Sequence, residues 1–256
     1  MSIPYIPVEE AIPRRGMRLV VVGKVPSPWG EAAKEIFRLK GIDFAAVRLV
    51  YDNEALKAWA GQLSGPVAVY DDEPPRSGWA EILMLAERLA PEPALLSLEP
   101  HARGQAIDLA NKFCGPNGLG WSRRLQMVHA GHSGTGGFGE RIAQYLGAKY
   151  GYQSADGAGY SRRVHGLLGE FAGRLRQQRE AGSPYYLGQA LSAVDVYGAA
   201  FMALFQPLPE AQCDMHPGAR AAFEWLDAET RAALDPILIE HRDMMYSRHL
   251  ALPLSL

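Results

Sequence analysis

Ser27 is the first candidate for chemistry, because it stands where an apolar segment gives way to an amphipathic one. Residues 17–23, MRLVVVG, predict a buried strand, and residues 28–42, PWGEAAKEIFRLKGI, predict a helix. Since proline favours the first helical position, a Ser-Pro step predicts that Ser27 caps this helix. A hydroxyl can accept and donate at once, so Ser27 can also donate a hydrogen bond to a substrate sulfur beside the helix N-terminus.

Other motifs that could indicate a binding or catalytic site are better explained by a structural role. Residues 134–139, GTGGFG, have the glycine spacing of a dinucleotide-binding loop, but WSRRLQMVHA before them indicates a helix instead of the required strand. We interpret them as a flexible connection between helices. None of the seven histidines lies in an HExxH or Cys/His ligand spacing, so no metal site is predicted. The sequence has no GxSxG elbow, which leaves a hydrolase triad without support.

The segment LSAVDVY, residues 191–197, predicts the start of a buried helix. Ser192 is expected to accept a hydrogen bond from the backbone N–H of Asp195, whose carboxylate reaches back to the N–H of Ser192. Leu191 and Val196 have the spacing of a hydrophobic staple around this capping box. We therefore assign the pair to stability and not to catalysis.

The composition excludes several kinds of partner. The 256 residues carry a net charge of −2, which predicts no strong attraction to nucleic acid or to an anionic membrane. No run approaches the roughly 18 apolar residues of a membrane span, and MSIPYIPVEEAIPRRG lacks the apolar core of a secretory signal. Cys114 and Cys213 form no CxxC motif, which suits a reducing compartment. We expect a cytoplasmic protein.

The chain changes character near its middle. The strand-like segments RLVVVG, DFAAVRLVY and GPVAVYDD alternate with helical periodicity, and a further short strand is possible before the next helix. Beyond the proline-punctuated segment APEPALLSLEP only helical periodicity remains. The predicted units are an N-terminal extension at 1–16, an α/β domain at 17–91, a linker at 92–100 and an all-helical domain at 101–256.

Three segments together resemble the glutathione transferase superfamily. SPWGEAAKEIFRLKGI is similar to the segment in which a catalytic Ser, Tyr or Cys precedes the first helix. GPVAVYDD is similar to the strand that begins with a cis proline, and YYLGQALSAVDVY resembles the capping-box region of the second domain. The resemblance implies a thioredoxin-like α/β N-terminal domain followed by an all-α helical-bundle C-terminal domain. It also implies glutathione as co-substrate, lying along the N-terminal domain.

The resemblance assigns roles to individual residues. Ser27 would face the glutathione sulfur, Pro66 would be the cis proline, and the backbone of Val67 would pair with the peptide. Family members usually place Glu-Ser before the next helix to hold the γ-glutamyl group, whereas this chain has RSGWAEIL. The pair becomes Ser77-Gly78 or Gly78-Trp79, where Ser77 and nearby backbone N–H groups remain able to hold a carboxylate.

The function implied is alkyl or aryl transfer to glutathione, of the kind used in detoxification, with a small apolar electrophile held between the domains. A homodimer is also implied, with Trp121 and Arg124 of GLGWSRRL as candidate contacts. Two other functions stay open. One is a binding or interaction protein that has kept the fold without the chemistry, and the other is a glutathione-dependent lyase or isomerase.

Overall fold

The computed structural model describes residues 3–256, and a mixed sheet organises the first part of that range. The described strands are β1 Tyr5–Ile6, β2 Met17–Val21, β3 Phe44–Arg48 and β4 Val67–Tyr70. They lie in the order β1-β3-β2-β4. β1, β3 and β2 are parallel, and β4 runs antiparallel to β2.

Helices on both faces of the sheet explain why β2 is buried along its whole length. They are α1 Val8–Ala11, α2 Pro28–Leu39, α3 Glu54–Ala60 and α4 Trp79–Leu89. Leu19 and Val21 pack with residues of α2 and α4, whereas Val20 packs with residues of α1 and α3. A strand with apolar neighbours on both faces reads as a continuous apolar run, as the sequence of β2 does.

The described part of the predicted N-terminal extension joins the sheet. Tyr5 and Ile6 pair in parallel with Ala46 and Val47 of β3. The next residues form α1, which packs on the same face as α3. A two-residue strand shows no alternation of apolar and polar residues, and this explains why the periodicity of the sequence does not reveal it.

The short strand considered after β4 is reduced to a single bridge. Ala68 and Arg76 exchange two backbone hydrogen bonds, both 2.8 Å long. The acidic, proline-rich turn between them passes through Asp71 at φ +47°. One bridge is the whole extent of pairing on this edge within residues 3–256.

Helices alone make up the second part of the chain. The α-helices between residues 100 and 256 are α5 Pro100–Cys114, α6 Leu119–His132, α7 Glu140–Tyr150, α8 Gly157–Glu180, α9 Ala193–Phe201, α10 Pro217–Glu224, α11 Ala228–Ala233 and α12 Pro236–Arg248. All nine residues of α9 are buried. α9 contacts α2 of the first part and α5 and α12 of the second, so it joins the two parts.

Asp195, in the first turn of α9, is fully buried and accepts several hydrogen bonds. Its carboxylate accepts from the backbone N–H of Ser192 at 2.9 Å, as predicted, and from that of Tyr186 at 2.7 Å. His241 Nε2 of α12 lies 3.1 Å from the same group. The geometry of the predicted capping box is present at Ser192 and Asp195. In addition, the Ser192 hydroxyl donates to the Asp195 carboxylate at 2.7 Å.

Residues 134–139 connect α6 to α7, as predicted, and two of their glycines lie close against neighbouring groups. Trp225 Nε1 donates to the carbonyl of Thr135 at 3.2 Å. Gly136 and Gly137 have φ of +134° and +71°, and a Cβ on Gly137 would overlap the carbonyl of Met127. Gly136 and Gly137 therefore allow the loop to approach Trp225 and the backbone of Met127 closely, which explains these glycines without a phosphate-binding site.

Candidate functional site

Ser27 occupies the N-cap of α2, with φ −66° and ψ 116°, and Pro28 takes the first helical position. Its carbonyl accepts the N–H of Glu31 at 2.8 Å. The side chain is 8% exposed, and its hydroxyl makes no hydrogen bond to any residue from 3 to 256. The position is the predicted one, but the cap bond through the side chain is not made. The Ser27 hydroxyl is therefore free to donate to a group brought in from outside.

The N-terminus of α2 adds a positive electrostatic field at the same place. Pro28 has no N–H, and Glu31 is the first residue of the helix whose N–H bonds to the described chain. The N–H groups of Trp29 and Gly30 point out of the helix end without a described backbone acceptor. Such a helix end favours an anion by up to about 1 kcal/mol at the surface.

The peptide bond between Gly65 and Pro66 is cis, and it lies directly before β4. Ala68 exchanges its backbone hydrogen bonds with Arg76, on the side of β4 away from β2. In an antiparallel ladder this direction alternates from residue to residue, so the backbone groups of Val67 point toward its partner Val20 in β2. The backbone groups of Val67 are thus used within the sheet. Gly65 makes no backbone hydrogen bond to the described residues, so it has the free groups that were expected of Val67.

The N-terminus of α4 already holds a carboxylate from the chain itself. Glu81 Oε2 accepts from the backbone N–H of Ser77 at 3.0 Å and from that of Gly78 at 3.1 Å. These hydrogen bonds lower the pKa of Glu81. Trp79 faces away from this end, with its ring edge-on to Tyr197 at 5.7 Å. The predicted carboxylate-binding N–H groups therefore exist, and Glu81 occupies them.

Trp29 anchors the α2 terminus to the helical part. Its Nε1 donates to the carbonyl of Cys114 at 2.9 Å, and its ring meets Phe201 edge-on at 4.9 Å. On its other side the guanidinium of Arg124 lies 5.3 Å from the ring centroid. The seam between the two parts of the chain thus runs beside Ser27.

The predicted dimer contact requires Arg124 to lie on the surface, but its side chain is buried. It is 7% exposed within the single chain and lies between the rings of Trp29 and Tyr150. Trp121 is also turned inward, donating to the carbonyl of Tyr150 at 3.2 Å. The predicted dimer contact through Arg124 is wrong, because packing within the single chain buries its side chain. Trp121 is only partly buried, and its contact stays a prediction.

Solved structures of glutathione transferases superpose on almost the whole chain. One from Methylobacterium radiotolerans, in complex with glutathione sulfonate, is 18% identical with a TM-score of 0.61, covering 91% of each chain. One from Methylobacillus flagellatus, with glutathione bound, is 13% identical with a TM-score of 0.63, covering 91% of this chain and 95% of the other. The β-etherase LigF from Sphingobium sp. strain SYK-6 is 13% identical with a TM-score of 0.57, covering 90% and 99%. No protein-family model and no curated protein matches the sequence. The chain has the glutathione transferase fold.

This confirms the predicted fold class, a thioredoxin-like α/β part followed by a helical part. The chain's own two thiols are the other candidates for chemistry. Cys114 and Cys213 are buried and unpaired. Burial raises the pKa of the Cys114 thiol and raises the pKa of Cys213 to about 11. Both stay protonated at neutral pH, so the hydroxyl of Ser27 is the better candidate for chemistry.

Two further features of the described residues bear on what the fold can bind. Within residues 3–256 no three His, Cys, Asp or Glu side chains are grouped to hold a metal ion. No helix in that range combines the length and the apolar character that crossing a membrane requires.

Proposed function

We propose that the chain binds glutathione with its thiol against Ser27 and transfers it to an electrophilic carbon. The observation that carries this proposal is the hydroxyl of Ser27, a residue that is only 8% exposed. The hydroxyl has no partner among the described residues and stands at the N-terminus of α2. Neighbours of the same fold were solved with glutathione or glutathione sulfonate bound, which supports the choice of ligand.

The chemistry is activation of a thiol. A free thiol has a pKa of about 8.5, so little thiolate exists at neutral pH. A hydrogen bond from Ser27 and the field of the helix N-terminus both favour the anion. Each unit by which the thiol pKa falls needs about 1.4 kcal/mol of differential stabilisation. The thiol proton leaves to solvent, the sulfur forms a bond to carbon, and the leaving group departs with its electron pair.

The rest of glutathione would lie along the sheet edge. In this proposal the backbone of Gly65, next to cis Pro66, pairs with the peptide in place of Val67. The γ-glutamyl carboxylate takes the N–H groups of Ser77 and Gly78, beside Trp79. That requires the Glu81 carboxylate to move aside, since it now accepts from both groups.

The kcat of the Ser27→Ala variant and its Kd for glutathione, measured together, test this function. We expect Ser27→Ala to lower kcat by about 10- to 100-fold, the worth of a hydrogen bond to a charged group. The Kd for glutathione, measured by calorimetry, should change much less. Ser154→Ala, at an exposed serine far along the chain, should change neither value. Equal kcat values for wild type and Ser27→Ala would contradict the proposal.

A binding or interaction protein without transferase chemistry is the second candidate, and one observation favours it. Glu81 already occupies the N–H groups that the γ-glutamyl carboxylate needs. Absence of glutathione binding at millimolar concentration would support this candidate. A lyase or isomerase would use the same thiolate, and a panel of halide, epoxide and ether substrates would separate it from a transferase.

We also propose a homodimer working in the cytoplasm. The support is the resemblance to glutathione transferases and the two unpaired cysteines, which suit a reducing compartment. Sedimentation equilibrium at micromolar concentration should give a mass of about 56 kDa, twice the 28.0 kDa of the chain. A single 28.0 kDa species would contradict the dimer.

A further inference from the structure

Arg124 is a buried cation that the fold leaves without a counter-charge. It is 7% exposed, and its Nε is enclosed without an acceptor. Its guanidinium forms neither a hydrogen bond nor an ion pair with any residue from 3 to 256. Nε is the one nitrogen of Arg124 that is enclosed, so its two terminal nitrogens reach solvent and are open to an acceptor from outside the described chain. A charged donor that is this far buried gains from such a partner.

The neighbouring arginine shows that this fold can pair a buried guanidinium. Arg123 is fully buried, and its Nε donates to the carbonyl of Leu204 at 3.1 Å. Its terminal nitrogens donate to Gln126 Oε1 at 2.7 Å and to the carbonyl of Trp225. The other buried arginines in the described chain, Arg18 and Arg242, also donate hydrogen bonds. Arg124 is therefore the exception among them.

Aromatic rings from both parts of the chain surround Arg124. Its guanidinium lies 5.3 Å from the ring centroid of Trp29 and 5.6 Å from that of Tyr150. Tyr51, from the loop after β3, meets Tyr145 of α7 across the same seam, with ring centroids 5.9 Å apart. Lys149 is a second cation here, and burial together with the nearby Arg124 charge lowers the pKa of Lys149.

We propose that Arg124 binds the carboxylate of an aromatic co-substrate in the seam beside Ser27. Two parallel N–H groups of a guanidinium match the two oxygens of a carboxylate. The flat rings around it suit the aromatic body of the same molecule. Trp29 contacts Arg124 and is two residues from Ser27 in the chain, so a carboxylate bound at Arg124 would lie at the same seam as the thiol proposed at Ser27. This inference rests on the proposed function for its reaction, but not for its binding step.

Calorimetry with 4-methylbenzoate and 4-methylbenzamide tests the binding step without any turnover. The two probes have the same shape and differ in charge. We expect Arg124→Met to weaken 4-methylbenzoate by about 10- to 100-fold and to change 4-methylbenzamide less than twofold. Arg124→Lys keeps the charge without the planar fork, so an intermediate loss is expected. Arg141→Met, which removes an exposed charge from α7, should bind both probes as wild type does. Thermal melting establishes that each variant is folded.

A second arm distinguishes the carboxylate of the co-substrate from that of glutathione. Arg124→Met should leave the Kd for glutathione within twofold of wild type, while lowering kcat/KM for 4-(bromomethyl)benzoate and sparing 4-(bromomethyl)benzamide. Weaker glutathione binding with an unchanged preference between the two probes would overturn the inference. So would equal affinity of wild type and Arg124→Met for 4-methylbenzoate. If wild type binds 4-methylbenzoate through Arg124 but binds no glutathione, the proposed function fails and this inference stands.

Discussion

Some buried polar side chains have hydrogen-bond partners within the described chain, and others have none. Asp195 is fully enclosed. It accepts from the backbone N–H groups of Tyr186 and Ser192, and His241 Nε2 lies 3.1 Å away. Ser27 and Arg124 are also buried, yet the hydroxyl of one and the guanidinium of the other have no hydrogen-bond partner in residues 3–256. Native proteins pair nearly all such groups. Arg18 Nε and His241 Nδ1 are also enclosed without a partner, but both side chains use another nitrogen in a hydrogen bond. Ser27 and Arg124 make none, and both lie next to Trp29 in the chain or in space, which is why we place ligand chemistry there and stability at Asp195.

Substitution of Asp195 should therefore damage the fold far more than substitution of its capping partner. Asp195→Ala leaves the backbone N–H groups of Tyr186 and Ser192 unpaired in the interior, and we expect a loss of about 3 kcal/mol in the free energy of unfolding. Ser192→Ala should cost about 1 kcal/mol. Urea unfolding measures both. Equal losses would contradict the assignment of Asp195 as a buried hub.

At the scale of elements, the first turn of α4 combines a stabilising cap with a proposed binding site. Glu81 stands three residues after Gly78, the spacing of a capping box, and its carboxylate completes the helix end. The same N–H groups suit the γ-glutamyl carboxylate of glutathione. Cap and ligand therefore compete for one set of donors.

Glu81→Gln separates these two effects. Removing the negative charge should tighten glutathione about two- to fivefold, because the incoming carboxylate no longer meets a like charge. Calorimetry at pH 7 measures this Kd, and an unchanged or weaker affinity would contradict the competition.

The pH dependence of stability gives an independent check on Glu81. Hydrogen bonds from Gly78 and Ser77 lower its pKa from the ordinary 4.5, so the folded state favours the ionised form. The stabilisation is present above pH 4.5 and is lost as the pH falls through the lowered value. The melting temperature of wild type should exceed that of Glu81→Gln at pH 7, and the gap should close on acidification. A gap independent of pH would show that the carboxylate does not act as a cap.

Element order was predictable from sequence, and side-chain direction was not. Continuous apolar strands and the helical stripes after them indicated both parts of the fold, since burial on two faces leaves that pattern. β1 has two residues and leaves no pattern at all. Arg124 was expected on the surface because it is charged, yet Arg124 and its neighbour Arg123 are both buried on α6. The role of Val67 depended on whether its backbone N–H and carbonyl point toward β2 or away from it. The Ala68–Arg76 bridge, which the sequence does not reveal, shows that they point toward β2.

At the scale of the whole molecule, one glycine lies where the two parts meet. A Cβ on Gly120 of α6 would lie 2.7 Å from Cη2 of Trp29 and closer still to the ring of Phe201. Gly120 thus permits α2, α6 and α9 to approach one another beside the proposed site.

Gly120→Ala should overfill this junction and cost about 1–3 kcal/mol of stability. Gly166→Ala is the matched control, because Gly166 is exposed on α8 with open space at its Cβ position. There an alanine should be neutral or stabilising by up to about 1 kcal/mol. Urea unfolding of both variants measures the difference, and a neutral Gly120→Ala would contradict the tight junction.

The central claim is that the Ser27 hydroxyl donates to the sulfur of bound glutathione. Ultraviolet absorbance of the thiolate, followed against pH in the glutathione complexes of wild type and Ser27→Ala, tests it most directly. We predict that the wild-type complex titrates below the roughly 8.5 of a free thiol, and that Ser27→Ala titrates about one unit higher than wild type, at a cost of about 1.4 kcal/mol. Superimposable titration curves would contradict the account and leave Ser27 with only its position at the N-cap of α2.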